Sequence, residues 1–130
     1  MNRKSLDKRL QELSIYSEFY MRKELNALAQ IIPDGDQLNC ILTGLHEGNR
    51  KMLAITDRRL FIIYAAALAA KDVTVIQRSA VSEYRFEKKF LFSKASFSTG
   101  SGSSFEFANT QGSVKELFEW AMQRPVPDSD

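Results

Sequence analysis

The stretch LAITDRRLFIIY, residues 53 to 64, places a Thr-Asp-Arg-Arg step between two apolar runs. Short apolar runs bounded by turn-forming residues are typical of buried strands. Thr and Asp side chains can accept hydrogen bonds from backbone N–H groups two residues on, and an arginine at the corner can reach a carboxylate. The pattern therefore predicts a structural turn of Thr56, Asp57, Arg58 and Arg59 between two strands, rather than a ligand site.

The second run, LFIIY, is apolar at every position, so both faces of that strand carry apolar side chains. Alternation places Leu60, Ile62 and Tyr64 on one face, and Phe61 and Ile63 on the other. A strand with one solvent-facing side would carry polar residues there, so something must cover the outer face. We expect the N-terminal helical segment to cover it, with AAALAA, residues 65 to 70, as a turn or short helix on the same side; a second subunit is the alternative.

Residues 5 to 32 have the apolar spacing of an amphipathic helix, either one long helix or two shorter ones with Ser14 or Ser17 as a cap. The stripe comprises Leu6, Leu10, Leu13, Met21, Leu25, Leu28 and Ile32. Pro33 and the following Asp-Gly-Asp end it. We therefore predict an N-terminal helical extension over residues 1 to 33 that packs on the rest of the chain.

Seven short strands are predicted between residues 37 and 107. They are QLNCILT, KMLAIT, RLFIIY, DVTVIQ, VSEYRFE, FLFSKASFS and SSFEF. The first should place Leu38, Cys40 and Leu42 on one face, and the fifth alternates Tyr84 and Phe86 with charged residues. This order of strands is typical of a small antiparallel sheet that bends over on itself.

The helical period returns at the end of the chain, where Val114, Leu117, Phe118 and Ala121 form one stripe. Ser113 and Glu116 have capping-box spacing, and Pro125 marks the end of this helix. One apolar helix face can plug the open end of a bent sheet. The predicted fold is α+β, mainly β: a partly open seven-stranded antiparallel barrel capped by a C-terminal amphipathic helix, with the N-terminal helical extension.

Two segments, MLAITDRRLFIIY and VSEYRFEKKFLFSKASF, resemble the strand-turn-strand signature and the long fifth and sixth strands of bacterial pleckstrin-homology (PH) domains of the YokE-like type, which are related to GRAM domains. The resemblance covers roughly residues 37 to 123. It implies a PH-like barrel, which we place at residues 34 to 124; residues 125 to 130 are predicted to be a flexible tail. It implies no particular ligand, because the barrel is used for lipid head groups, peptides and self-assembly alike.

Composition argues against several function classes. A formal charge of +2 is too small for a nucleic-acid partner, and the longest apolar run, residues 60 to 70, is too short for a membrane span. The charged start of the chain, MNRKSLDKRLQELS, favours the cytoplasm. We expect no catalytic set, metal or cofactor: His46 is predicted to be a solvated loop residue and Cys40 a small buried one.

Two groups of basic residues are candidates for a binding surface. Residues 37 to 49 contain no Lys or Arg, so Arg50 and Lys51 lack the partners of a polyphosphate clamp and are interpreted as solvated strand-edge residues. In KKFLFSK, residues 88 to 94, Lys88, Lys89 and Lys94 surround Phe90 and its apolar neighbours. Exposed apolar side chains there could enter a membrane interface, but alternate residues of the predicted strand should face the core.

The sequence thus predicts a non-enzymatic cytoplasmic binding or assembly module. Its partner would be a protein or peptide, a second copy of the chain included, bound through an exposed strand edge or the apolar outer surface. The alternative is a peripheral membrane domain that binds anionic lipid weakly through the basic residues named above.

Overall fold

The computed structural model describes residues 1–15, 22–65 and 71–127 of the chain. Its elements are α1 (Arg3–Glu12), α2 (Arg22–Ile31), β1 (Leu38–His46), β2 (Asn49–Thr56), β3 (Arg59–Ala65), β4 (Lys71–Gln77), β5 (Val81–Glu87), β6 (Ser93–Thr99), β7 (Ser104–Thr110) and α3 (Lys115–Gln123). Short 3-10 turns at Arg78–Ala80 and Gly112–Val114 precede β5 and α3. Within the described residues, the N-terminal segment contains two helices. The predicted cap at Ser17, the stripe position Met21 and most of AAALAA lie outside the described residues.

The seven strands form one antiparallel sheet in the order β4-β3-β2-β1-β7-β6-β5. The neighbours within β1–β4 and within β5–β7 pair over several residues, whereas β1 and β7 pair at Leu45 and Ala108 alone. The sheet therefore has two halves that meet at one narrow junction. This arrangement confirms the predicted partly open, seven-stranded PH-like barrel with helices at both chain ends.

Strand β3 contributes to two separate cores. Leu60 and Ile62 face the barrel interior, where they join residues of β5–β7 and α3, whereas Phe61 and Ile63 face the N-terminal helices. The helix-side cluster contains Leu6, Leu10, Leu25, Leu28, Ile41, Met52, Phe61 and Ile63 among others. The apolar outer face of β3 is therefore buried within this chain, which removes it as an exposed surface for a partner.

Strand β1 departs from the simple alternation expected of it. A register irregularity between Leu38 and Cys40 adds a residue on this strand opposite β2. Leu38 consequently lies in the helix-side cluster, whereas Cys40 and Leu42 lie in the barrel interior. The prediction that all three share a face was wrong, because a β-bulge reverses the side on which the preceding residue lies.

Helix α3 closes the barrel interior with the predicted apolar stripe. Phe118 is fully buried, and its ring lies 5.7 Å from that of Phe86 on β5. The helix ends at Gln123, before Pro125, as expected. The predicted capping box is absent, because Ser113 lies within the preceding 3-10 turn and no side chain caps the first turn of α3.

Candidate interaction surfaces

The β2–β3 corner is held by the hydroxyl of Thr56. This buried oxygen accepts hydrogen bonds from the backbone N–H groups of Arg58 at 3.1 Å and Arg59 at 2.9 Å. It also lies 2.9 Å from a carboxylate oxygen of Asp36, to which it can donate. One side chain thus satisfies the turn's backbone donors and connects the turn to the segment that precedes β1.

The corner arginine Arg59 contacts the carboxylate of Asp36 rather than that of the neighbouring Asp57. Asp36 Oδ2 and Arg59 Nε form an ion pair at 2.8 Å, with the carboxylate almost fully buried. Asp57 instead accepts from the Gln37 backbone N–H at 2.9 Å, while its own N–H donates to the Gln37 carbonyl. These contacts occupy the charged groups of Asp36, Asp57 and Arg59 within the chain. Sequence reasoning missed Asp36, because the residues around it indicate only the end of a helix.

Arg78 connects the same corner to α3. Its backbone N–H donates to the Arg58 carbonyl at 2.9 Å, and its guanidinium donates to the carbonyls of Met122 and Arg124 at the end of the helix. Burial lowers the pKa of this guanidinium. A cation is favourable at a helix C-terminus because the last carbonyls there lack backbone partners. Arg78 is therefore a structural residue.

His46 and Cys40 are both buried. His46 ends β1 with its ring stacked 4.9 Å from Phe107 and its Nδ1 3.1 Å from the Glu106 carbonyl oxygen, so the prediction of a solvated loop residue was wrong. Cys40 is fully buried as expected, and burial raises the pKa of its thiol, which suppresses the reactive thiolate. Neither residue is placed to act as a nucleophile or general base on an accessible substrate.

The loop between β5 and β6 differs most from its prediction. Strand β6 begins at Ser93 rather than Phe90, and the Lys89 N–H lies 3.3 Å from the Ser93 hydroxyl that accepts from it. The three apolar residues of the loop are exposed: Phe90 by 99%, Leu91 by 73% and Phe92 by 61%. The expectation that alternate residues here face the core was wrong. We call residues 88–92 the β5–β6 loop.

Lysines and two glutamates lie beside this loop. Glu87 Oε2 lies 3.8 Å from Lys89 Nζ, and its other oxygen lies 3.9 Å from Lys94 Nζ. Lys94 Nζ is also 3.7 Å from Glu106. Lys88 is exposed and forms no ion pair with any residue in 1–15, 22–65 or 71–127. Lys89 and Lys94 are thus joined through Glu87, and Lys88 and Phe90 are the chain neighbours of Lys89.

Arg50 and Lys51 have different neighbours from the lysines around the loop. They are the second and third residues of β2, where Arg50 is paired with Leu45 and Lys51 with Gly44 on β1. The Arg50 guanidinium is exposed and lies 3.4 Å from the Thr43 hydroxyl. The two groups of basic residues proposed from the sequence therefore belong to different hairpins.

Strand β4 is one of the two terminal strands of the sheet. Its central residues, Val73 to Ile76, contain no charge, and Val75 is 50% exposed. The other terminal strand, β5, carries Glu83, Arg85 and Glu87 on its outer face. Charged side chains discourage pairing at a sheet edge, so β4 is the more open of the two to an added strand.

No set of three or more His, Cys, Asp and Glu residues that could hold a metal ion occurs in the described parts of the chain. Within those same parts, no helix is long and apolar enough to cross a membrane.

Comparisons with known proteins agree with this architecture. A sequence profile described as Bacterial PH domain matches residues 21–122, which takes in α2, all seven strands and nearly all of α3. The crystal structure of a DUF1696 family protein with a pleckstrin-homology domain from Shewanella loihica PV-4 superposes with a TM-score of 0.50 at 14% identity, covering 78% of this chain and 97% of that one. At that identity the likeness concerns the fold. No curated protein matches the sequence.

Proposed function

Because the chain belongs to the bacterial PH domain family, we propose that it is a non-catalytic binding or assembly module that pairs an extended protein segment, a second copy of the chain included, with the β4 edge. PH domains generally mediate protein or lipid binding and are generally non-catalytic. The narrower relation to the YokE-like type and to GRAM domains, and a cytoplasmic location, belong to the same proposal.

The observation that carries the proposal is the difference between the two sheet edges. β4 presents an uncharged Val-Thr-Val-Ile centre with Val75 half exposed, whereas β5 carries alternating charges. A terminal strand has unpaired backbone N–H and C=O groups along its free side, and an extended segment can satisfy them while its side chains contact Val75. The apolar outer surface of the sheet is excluded as a binding surface because α1 and α2 cover it.

Light scattering coupled to size-exclusion chromatography tests the self-association form. We expect association that increases with protein concentration and is lost in Val75→Lys, because a charge on an edge strand opposes pairing. Ser82→Lys, which adds the same charge to exposed β5, is the matched control and should associate like the unmodified chain. A chain that stays monomeric at every concentration contradicts self-association.

Affinity capture from native cytoplasm tests the form with a different protein partner. A partner bound at the β4 edge should be recovered with the unmodified chain and with Ser82→Lys, but not with Val75→Lys. If all three proteins recover the same set of partners, the β4 edge is not the binding surface.

A further inference from the structure

The β5–β6 loop carries the largest exposed apolar side chains on adjacent positions in the described chain: Phe90, Leu91 and Phe92. Keeping such side chains in water is unfavourable, and contiguous exposed apolar groups mark interaction sites. The loop is not an unformed part of the core. Its ends are fixed by the pairing of Glu87 with Lys94 and by the contact between the Lys89 N–H and the Ser93 hydroxyl.

Positive charge lies directly beside these apolar residues. Three lysines, Lys88, Lys89 and Lys94, and Arg85 adjoin two glutamates, Glu87 and Glu106, which leaves a local formal charge of +2. The glutamates lie on strands, and Glu87 is shared by Lys89, Lys94 and Arg85. Lys88 and Lys89 immediately precede Phe90, so positive groups occur where the apolar tip begins.

A lipid surface fits this combination better than a shaped protein pocket. Three successive side chains of a hairpin loop are all exposed, so a protein partner would have to surround the tip, whereas a fluid interface takes up apolar groups pointing in several directions. Lysine stems can lie along the apolar region while their ammonium groups stay among charged head groups. We infer that the β5–β6 loop is a membrane contact, in which Phe90, Leu91 and Phe92 enter the interface of a bilayer containing anionic lipid, with Lys88 and Lys89 at the head groups.

This contact is distinct from the β4 edge and does not depend on the function proposed above. The contact also does not rely on a specific head-group pocket. Residues 37–49, at the start of the sheet, contain no Lys or Arg that could help to form one. We expect anionic charge in general to support binding, with an affinity that falls as salt is raised, because surface attraction is screened over about 8 Å at physiological ionic strength.

Flotation with vesicles tests the inference on the full chain. We expect binding to vesicles of phosphatidylcholine mixed with phosphatidylglycerol and little binding to phosphatidylcholine alone. Phe90→Ser with Phe92→Ser should weaken binding to the mixed vesicles by about tenfold or more, because it removes most of the apolar area that enters the interface. Lys88→Glu with Lys89→Glu should weaken it by at least about tenfold.

Two controls separate the loop from general effects. Lys4→Glu with Lys8→Glu makes the same change in net charge on exposed positions of α1, and Val75→Lys disrupts the β4 edge. Both should bind mixed vesicles within about twofold of the unmodified chain if the loop supplies the contact. An equal loss in the Lys4 and Lys8 variant would show attraction through bulk charge and overturn the inference.

Insertion itself has an optical test. Phe90→Trp, made in a chain where Trp120→Phe has removed the single tryptophan, should shift its emission to shorter wavelength when mixed vesicles are added. Unshifted emission, or loop variants that bind vesicles like the unmodified chain, would overturn the inference. Loop variants that change the oligomeric state and leave vesicle binding intact would identify the loop as a protein contact, which also overturns it.

Discussion

Strands β3 and β6 are both seven residues long, and each is an inner strand of its half of the sheet. In β3, every residue from Leu60 to Ile63 is buried, because the barrel interior covers one face and the N-terminal helices cover the other. In β6, buried residues alternate with partly exposed ones, and the exposed positions are Lys94, Ser96 and Ser98. Buried and exposed residues thus alternate along a strand that is covered on one face, and all residues are buried where both faces are covered.

The largest effect on stability is expected at the face of β3 that the N-terminal helices cover. Phe61→Ala should lower the free energy of unfolding by about 3–5 kcal/mol, because it leaves a cavity between the sheet and the helices. Ser96→Ala, on the outer face of β6, is the matched change and should stay within about 0.5 kcal/mol. Urea unfolding measures both. Similar values for the two variants would contradict the difference between the halves.

A smaller effect on stability is expected where the two halves of the sheet meet, between β1 and β7. A Cβ on Gly44 would lie 2.9 Å from the Ala108 carbonyl oxygen and 2.9 Å from the Phe107 Cβ, so the backbones of β1 and β7 would have to separate. Gly44→Ala should cost about 1–3 kcal/mol of unfolding free energy, the usual range for overpacking.

The control for this junction is Gly35→Ala, because a Cβ at Gly35 would meet nothing within 4 Å. Its unfolding free energy should stay within about 0.5 kcal/mol of the unmodified chain. If Gly44→Ala is equally neutral in urea unfolding, the two halves are not in close contact at β1 and β7.

The smallest effect is expected on the polar outer face of the β5–β7 half. Arg85 is largely exposed, and its Nε lies 3.6 Å from Glu87. Arg85→Ala should change the free energy of unfolding by less than about 0.5 kcal/mol, because solvent screens an exposed pair. A loss above about 1 kcal/mol in thermal unfolding would indicate that this face is covered after all.

Sequence patterns predicted the sheet well because strand periodicity and turn residues are local signals. The fully apolar LFIIY run required a cover for Phe61, and the helical stripe containing Leu6 and Leu28 provides it. The errors have equally local causes. A single extra residue at the β1 bulge reversed the side of Leu38, and the 3-10 turn before α3 displaced Ser113 from its capping position.

The interaction surfaces were less accessible to sequence reasoning, because exposure depends on where the chain turns. Phe90 and Phe92 have residue types typical of a buried strand, and it is the pairing of Glu87 with Lys94 that places them in a loop. The sequence shows which residues are basic. Which of them lie near one another depends on where the hairpins turn, and a single sequence does not determine that. The binding roles of both surfaces stay predictions.

The contacts at the β2–β3 corner have a consequence for the order of folding. The turn itself is local, yet its partners are Asp36, which precedes β1, and Arg78, whose guanidinium reaches the carbonyl of Met122. Contacts between residues far apart in the chain require closure of large loops and therefore form slowly. We therefore expect the local turn to form first and the contact between Arg78 and Met122, which spans 44 residues, to form late, when α3 docks.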